Sequence, residues 1–198
     1  MTERSTIKRT EDAVDLLKQQ HQEIKTLFAA TAANSGEQRR RSFEQLVRLL
    51  SIHETAEEEI VHPQTRRLPG GERMIQTRLR EEEHAKRLLA ELDRMGPEAP
   101  QFPERLARLR ETVLSHAEHE ERDEFVALRK HFSPEQLRGM AVLIKAAQAI
   151  APTRPHPQVR PTARANLIAG LPIAVLDRTR DLLRGTGRAL RTMGARQT

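Results

Sequence analysis

The stretch HETAEEEIVHP at residues 53–63 decides the fold, and its pattern recurs in HAEHEERDEF, which begins at His116. In each stretch a glutamate follows a histidine by four residues, giving His53-x-x-x-Glu57 and His116-x-x-x-Glu120. Residues four apart lie on one face of an α-helix, so each pair directs an imidazole and a carboxylate toward the same point. We therefore predict two helices whose inward faces meet in the core of a helical bundle.

Two further histidines, His21 and His84, lie on two other predicted helices, so the order along the chain is His, HxxxE, His, HxxxE. Each of the four lies within the apolar stripe of its own helix, where unpaired polar groups are costly to bury. A metal centre would remove that cost. Imidazole with carboxylate suits a redox-active ion such as iron or manganese, and two glutamates that can bridge suit a pair of ions.

Apolar residues recur at helical spacing in four segments, and no segment alternates as a strand would. The third stripe is predicted to run through Met74, Thr77, Glu81, His84, Leu88 and Met95. The expected start and stop signals are a cap at Thr10, breaks at Gly36, Pro63 and Gly96, an end near Phe132, and a fifth, shorter helix that ends at Ile150.

These segments predict an all-α fold, an up-down-up-down four-helix bundle with a short fifth helix and a basic C-terminal tail. We assign the bundle to residues 10–132, the additional helix to 134–150, a proline-rich linker to 151–161 and a basic amphipathic tail to 162–198.

Composition narrows the chemistry. The chain has no Cys, Tyr or Trp, which excludes iron-sulfur clusters, thiolate zinc sites, disulfides and phenolate ligands. The first ten residues, MTERSTIKRT, contain no apolar stretch, and no later stretch approaches the length of a membrane span. We therefore expect no signal peptide and a cytoplasmic protein.

The net charge of +6 is concentrated at the C-terminus, where nine arginines and two aspartates follow Ala151. We expect this tail to dock on the bundle or on a second copy of it, or else to lie on an anionic membrane surface or bind an acidic partner. Nucleic acid is the least supported partner, because stacking aromatics and a binding motif are both missing.

The chain resembles hemerythrin-like proteins with an HHE cation-binding domain. The resemblance is carried by QQHQEI around His21, HETAEEEIVHP from His53, EEEHAKRLL around His84 and HAEHEERDEF from His116, over roughly residues 11–132. It implies a four-helix bundle around two non-haem iron ions with an oxo or hydroxo bridge. It further implies that the terminal nitrogen ligands are His21, His53, His84 and His116. The bridging carboxylates that it implies are Glu57 and Glu120.

Two departures from the oxygen-carrying hemerythrins bear on function. Arg80 stands where those proteins have a second histidine on the third helix, and Glu120 follows His116 by four residues where they have an aspartate at five. A site richer in carboxylate stabilises ferric iron, so we expect redox chemistry more than reversible oxygen transport.

Other polar residues lie near this pattern. Glu81 is a candidate seventh ligand or an acceptor for an imidazole N–H, and Glu54 is a weaker candidate of the same kind. His62 and His119 are expected to be outer-sphere or surface residues, and His131 and His156 structural or exposed. Solvated faces are predicted for Glu23, Glu58, Glu82, Glu83 and Glu121.

Two functional classes follow. As an enzyme, the centre would turn over a small oxidant, H2O2, O2 or NO, and sustained reduction would need an external electron donor. As a binding protein, it would sense, carry or store O2 or iron without turnover. A metal-free helical adaptor leaves the register of the histidines unexplained.

Overall fold

A computed structural model describes residues 11–150, and this part of the chain consists of helices joined by short turns, with no strand. The predicted all-α fold, with a helical bundle and a fifth helix, is confirmed. The predicted linker at 151–161, the basic tail at 162–198 and the proposed cap Thr10 lie outside the described residues. None of the helices within 11–150 combines the length and apolar character needed to cross a membrane.

Four long helices form the bundle: α1 (Ala13–Ala33), α2 (Gly36–Ala56), α4 (Gly71–Met95) and α5 (Phe102–His119). The cap of α1 is Asp12, whose Oδ1 accepts a hydrogen bond from the backbone N–H of Asp15 at 3.0 Å. Gly96 ends α4 with a positive φ of 78°, which suits glycine. Pro103 lies in the first turn of α5, where its missing N–H costs no hydrogen bond.

Both helices that carry an HxxxE pair continue into one wide π-helical turn. The first π-segment spans Glu57–Val61 and is followed by α3 (His62–Thr65). The second spans Glu120–Glu124 and is followed by α6 (Phe125–His131). Such π-turns are rare and often occur at functional sites.

The predicted stop at Pro63 is wrong, because the chain stays helical to Thr65. Pro63 lies in the first turn of α3, where a proline is tolerated because its missing N–H leaves few bonds unmade.

The fifth helix, α7 (Pro134–Ile150), packs against α1 and α2. Ser133 and Gln136 cap it reciprocally: the Ser133 N–H donates to Gln136 Oε1 at 2.8 Å, and the Gln136 N–H donates to Ser133 Oγ at 3.3 Å. Helix α7 therefore has its own N-terminal start signal.

The apolar core is divided into two clusters. One cluster joins the start of α1 to α6 and α7, with Leu17, Phe125 and Ile144 among its members. The other joins the far half of α1 to α2, α4 and α5, with Phe28 and Leu46 among its members. The helical spacing of inward-facing residues continues between the clusters, but polar side chains occupy those positions. The candidate site is this buried polar layer.

Candidate metal centre

The first group of ligand atoms comes from four elements that meet at the layer. His21 of α1, His53 of α2 and the two π-segment glutamates, Glu57 and Glu120, are all at most 4% exposed. One ligand atom from each lies within 4.8 Å of the others. His21 Nε2 lies 3.4 Å from Glu120 Oε2, and His53 Nε2 lies 3.3 Å from Glu57 Oε2.

The outward-facing nitrogens of both rings are held by hydrogen bonds. His21 Nδ1 donates to Glu121 Oε1 at 2.9 Å, and His53 Nδ1 donates to Gln20 Oε1 at 2.9 Å. Gln20 Oε1 also accepts from Gln148 of α7 at 3.0 Å, so the fifth helix supports His53 through one intermediary. These bonds place the Nε2 lone pairs in the layer, as outer-shell partners of metal-bound histidines do.

A second group is formed by Glu82, His116 and Glu120, and Glu120 is common to both groups. His116 Nε2 lies 3.2 Å from Glu120 Oε1, and His116 Nδ1 donates to Glu81 Oε2 at 3.0 Å. Glu81 also accepts from His119 Nδ1 at 2.9 Å and from Arg78. Glu81 therefore lies in the outer shell of His116, the second of the two roles expected for it.

The predicted inward position of His84 is wrong, because this side chain is exposed. Helix α4 keeps the expected spacing but is rotated by one residue, which places Glu82 in the layer and leaves Arg80 exposed. The reason is packing, since the rotated face is the more apolar one and ends deep in the second cluster. Its buried residues are Gly71, Ile75, Arg78, Glu82, Ala85, Leu88, Leu89 and Leu92.

A third group, His62, Glu120 and Glu124, was not predicted. His62 is 2% exposed and Glu124 is fully buried, although His62 was expected at or near the surface. The π-segments explain the error, because a wide turn shifts the face that follows it and a period of 3.6 residues no longer predicts which side chains point inward. Thr65 Oγ1 donates to Glu124 Oε1 at 2.7 Å.

Glu54, the weaker ligand candidate, faces the ammonium of Lys86 across α2 and α4, with 3.5 Å between its Oε2 and Nζ. Lys86 also contacts Glu58 and lies 3.6 Å from Glu82 Oε2. The predicted solvated faces of Glu58 and Glu82 are therefore wrong, since both carboxylates are drawn inward by this cation. Glu121, which was also predicted on a solvated face, accepts a hydrogen bond from His21 Nδ1.

The remaining predictions concern the periphery. Glu23 and Glu83 are exposed, as expected. His119 and His131 are partly exposed, and His156 lies outside the described residues.

Burial sets the protonation of the layer. It lowers the pKa of His53 to about 3 and that of His62 to about 4, so both rings are neutral at pH 7. It raises the pKa of Glu124 to about 7, with the nearby Glu120 charge contributing, and raises the pKa of Glu57 well above its usual range for the same two reasons.

His116 and Glu120 form the charged pair of the layer. Burial disfavours the charged form of both groups, but for each group the attraction of its oppositely charged partners outweighs the cost of burial. The pKa of Glu120 lies well below its usual range because of His116 and His21, and the pKa of His116 lies well above its usual range because of Glu120 and Glu81. In the metal-free protein a proton thus supplies the positive charge at Glu120.

The donor set fits a metal centre. Many buried atoms of these side chains have no hydrogen-bond partner among residues 11–150. Those without partners are His21 Nε2, both Glu57 oxygens, both His62 ring nitrogens, both Glu82 oxygens, His116 Nε2, both Glu120 oxygens and Glu124 Oε2. Orphaned groups of this number are costly unless cations bind them.

Comparison with known proteins identifies the domain. The hemerythrin HHE cation-binding domain matches residues 12–128. The chain belongs to this family. The recognition made from the sequence is therefore confirmed, and the buried clusters of this hemerythrin domain are the residues that could hold the cations.

Relatives and a solved structure agree with the assignment. An uncharacterized hemerythrin-like protein of Schizosaccharomyces pombe is 28% identical over 141 residues, 70% of each chain. A protein of Nostoc sp. described as a DNA nickase is 32% identical over 136 residues, which is 68% of this chain but only 38% of that relative. The crystal structure of a hemerythrin HHE domain protein from Mycobacterium kansasii superposes with a TM-score of 0.62, at 20% identity over 85% of this chain and 99% of that one. That likeness is one of fold.

Proposed function

We propose that this hemerythrin domain holds two iron ions in the polar layer and uses them in redox chemistry with a small oxidant. The first position is formed by His21, His53, Glu57 and Glu120, and the second by Glu82 and His116 with Glu120. The observation that carries the proposal is the set of buried, unpartnered imidazole nitrogens and carboxylate oxygens that converge there. Bound iron would supply Lewis acidity and one-electron redox equivalents.

The residues of the chain favour redox turnover over reversible oxygen binding. The second position has one imidazole and two carboxylates, because Glu82 occupies the inward place on α4 and His84 is exposed. Anionic oxygen donors stabilise the higher oxidation state of iron, so the reduced centre should be oxidised readily. Glu81, His119 and Arg78 hold His116 from outside and keep its Nε2 directed into the layer.

The space beside the layer favours a small substrate. A cavity of about 20 Å³ lies against His21, His53 and His116, and its other walls are mostly apolar. That volume accommodates about one water-sized molecule. It suits H2O2, O2 or NO and excludes an organic substrate of ordinary size. The mostly apolar walls also limit the access of bulk water to the reacting atoms.

The test is a paired measurement on full-length protein loaded with iron. We expect iron analysis to give two ions per chain, and an oxygen electrode to record O2 release from hydrogen peroxide. His116→Ala should abolish the release, whereas the exposed His84→Ala should retain it. A ferrous protein that binds and releases O2 through repeated cycles, with no O2 released from peroxide, would favour the alternative of a sensor, carrier or store without turnover.

A second candidate activity, nicking of DNA, comes from the relative described as a DNA nickase. The arginine-rich C-terminal part of this chain has the charge needed to contact phosphates. The matched region covers 38% of that relative, so the activity could belong to the rest of it. Conversion of supercoiled plasmid to open circles, with metal and with added catalase, tests it. Loss of nicking on catalase addition would assign the cuts to peroxide chemistry.

A further inference from the structure

A third set of ligand atoms adjoins the second proposed iron position. His62, Glu120 and Glu124 each contribute one atom, and these atoms lie within 4.8 Å of one another. Glu120 is the one residue that this set shares with each of the two proposed iron positions. His62 Nε2 also lies 3.5 Å from Glu82 Oε1, so the place that His62 and Glu124 face borders the second position.

The two π-segments create this place. Glu57 and His62 stand at the start and just beyond the end of the first segment, and Glu120 and Glu124 are the first and last residues of the second. The wider turn of the first segment brings His62, the residue after it, to the inward face, and Glu124 reaches the same face as the last residue of the second segment. Each HxxxE pair is thereby extended by one more ligand-type residue, His62 on one helix and Glu124 on the other.

Independent of the clustering, His62 and Glu124 have atoms that nothing in residues 11–150 satisfies. Both ring nitrogens of the buried His62 lack a hydrogen-bond partner, as does Glu124 Oε2. Glu124 Oε1 accepts from Thr65 Oγ1 at 2.7 Å, which fixes the carboxylate and leaves the other oxygen turned toward His62.

His62 Nε2 and Glu124 Oε2 are 3.8 Å apart, too far for a hydrogen bond. Two ligands on one tetrahedral ion, each about 2.1 Å from it, lie about 3.4 Å apart. The separation thus needs only a small closure around an ion.

We propose that His62, Glu120 and Glu124 form a third cation position that takes an exchangeable divalent transition ion beside the iron pair. It rests on the proposed function because Glu120 is shared. Four buried carboxylates, Glu57, Glu82, Glu120 and Glu124, balance two divalent ions. A third ion leaves an excess of positive charge in the low-dielectric layer, so it binds more weakly than the pair. One imidazole with two carboxylates suits Mn²⁺, Fe²⁺ or Zn²⁺.

Mn²⁺ tests this on full-length protein already loaded with iron, since free Mn²⁺ is counted by its electron paramagnetic resonance signal. We expect one Mn²⁺ bound per chain, released by gel filtration, with two irons retained. His62→Ala and Glu124→Gln should weaken Mn²⁺ binding at least about tenfold at unchanged iron content. Thr65→Val, a milder change, should weaken it less. The exposed His84→Ala and Glu118→Gln should match wild type, and circular dichroism checks the fold.

The other outcomes separate this proposal from the proposed function. Loss of an iron in His62→Ala or Glu124→Gln would make those residues ligands of the pair and overturn the third position. Two irons with no Mn²⁺ bound would also overturn it. If wild type holds fewer than two irons, the proposed function fails, and Mn²⁺ titration of the iron-free protein then tests the third position. A Mn²⁺ site that is lost in Glu124→Gln supports the third position. The absence of such a site overturns it.

Discussion

The two apolar clusters and the polar layer between them are buried equally well but stabilised differently. Within the clusters, side chains such as Leu46 and Phe28 bury apolar surface against one another, and that burial is favourable with no other partner. Within the layer, fully buried groups such as Glu57 and Glu82 retain oxygens with no hydrogen-bond partner in residues 11–150. The clusters therefore stabilise the fold, and the layer weakens it unless cations bind.

The layer also differs internally between its outer and inner atoms. Outward nitrogens are paired, His21 with Glu121, His53 with Gln20 and His116 with Glu81, at 2.9, 2.9 and 3.0 Å. The inward nitrogens of the same rings face carboxylate oxygens at 3.2 to 3.4 Å, and those of His21 and His116 have no hydrogen-bond partner among residues 11–150. Side chains fixed from outside and unsatisfied inside are preorganised for a ligand.

The largest expected effect is the loss of iron in Glu120→Ala, a substitution in the layer. Glu120 is the one residue common to all three groups of ligand atoms, so its removal would take an anionic ligand from both proposed iron positions. We expect iron content to fall from two ions per chain to near none, measured by elemental analysis of full-length protein.

Glu118→Ala is the matched control for that measurement, because Glu118 lies two residues away on the same helix and is exposed. It should leave iron content unchanged. Equal losses in the two variants would mean that Glu120 acts on folding and not on the metal.

Replacing one α4 residue should produce the next largest effect. Glu82→Ala should remove one of the two irons, since Glu82 contributes to the second position alone, whereas His84→Ala should remove none. The reverse result, with iron lost in His84→Ala and kept in Glu82→Ala, would restore the inward face predicted from the sequence.

Helix α4 also shows where sequence reasoning succeeds and where it stops. The helices, the order of the bundle and the burial of His21, His53 and His116 follow from apolar periodicity, because those residues lie in strongly apolar stripes. On α4 the stripes that contain His84 and Glu82 have the same spacing, and only tertiary packing selects between them. The Glu82 face is the buried one because Ala85, Leu89 and Leu92 accompany it into the second cluster.

The inward positions of His62 and Glu124 were missed for different reasons. His62 follows Glu57 by five residues, which a period of 3.6 residues places off the stripe, and no residue type announces a π-turn in advance. Glu124 follows Glu120 by four residues and therefore continues the stripe of His116 and Glu120, so spacing alone could have found it. The signal that could have found His62 is its occurrence, with Pro63, at the end of HETAEEEIVHP, where an apolar residue would be the simpler choice before a helix end.

In metal-free protein, a substitution in an apolar cluster and a substitution in the layer should change stability in opposite directions. Leu46→Ala should lower the free energy of unfolding by about 2 to 5 kcal/mol, because it leaves a cavity in the second cluster. Glu57→Leu should raise it by about 1 to 3 kcal/mol, because a buried carboxyl without partners is replaced by an apolar side chain of similar size.

Urea unfolding after chelation measures both changes in stability. Iron content then gives the opposite ranking, with two ions kept in Leu46→Ala and fewer in Glu57→Leu. If Glu57→Leu destabilises the metal-free protein as much as Leu46→Ala does, the layer is stabilising by itself and the contrast between the regions fails.

The smallest expected effect is a pH dependence of cation binding that the clusters cannot produce. In the metal-free protein burial raises the pKa of Glu124 to about 7, and raises that of Glu57 and Glu82 well above the usual range. A cation binds only the ionised carboxylate, so binding below these pKa values releases protons. His53, whose pKa is lowered to about 3, is already neutral and releases none.

Affinity should therefore rise with pH from 6 and level off above the raised pKa values. Calorimetric titration with Mn²⁺ in two buffers of different ionisation enthalpy should show about one proton more released at pH 6 than at pH 8. Equal release at both pH values would show that Glu124 does not change protonation between them. Affinity that falls as the pH rises would show that deprotonation of the carboxylates does not promote cation binding.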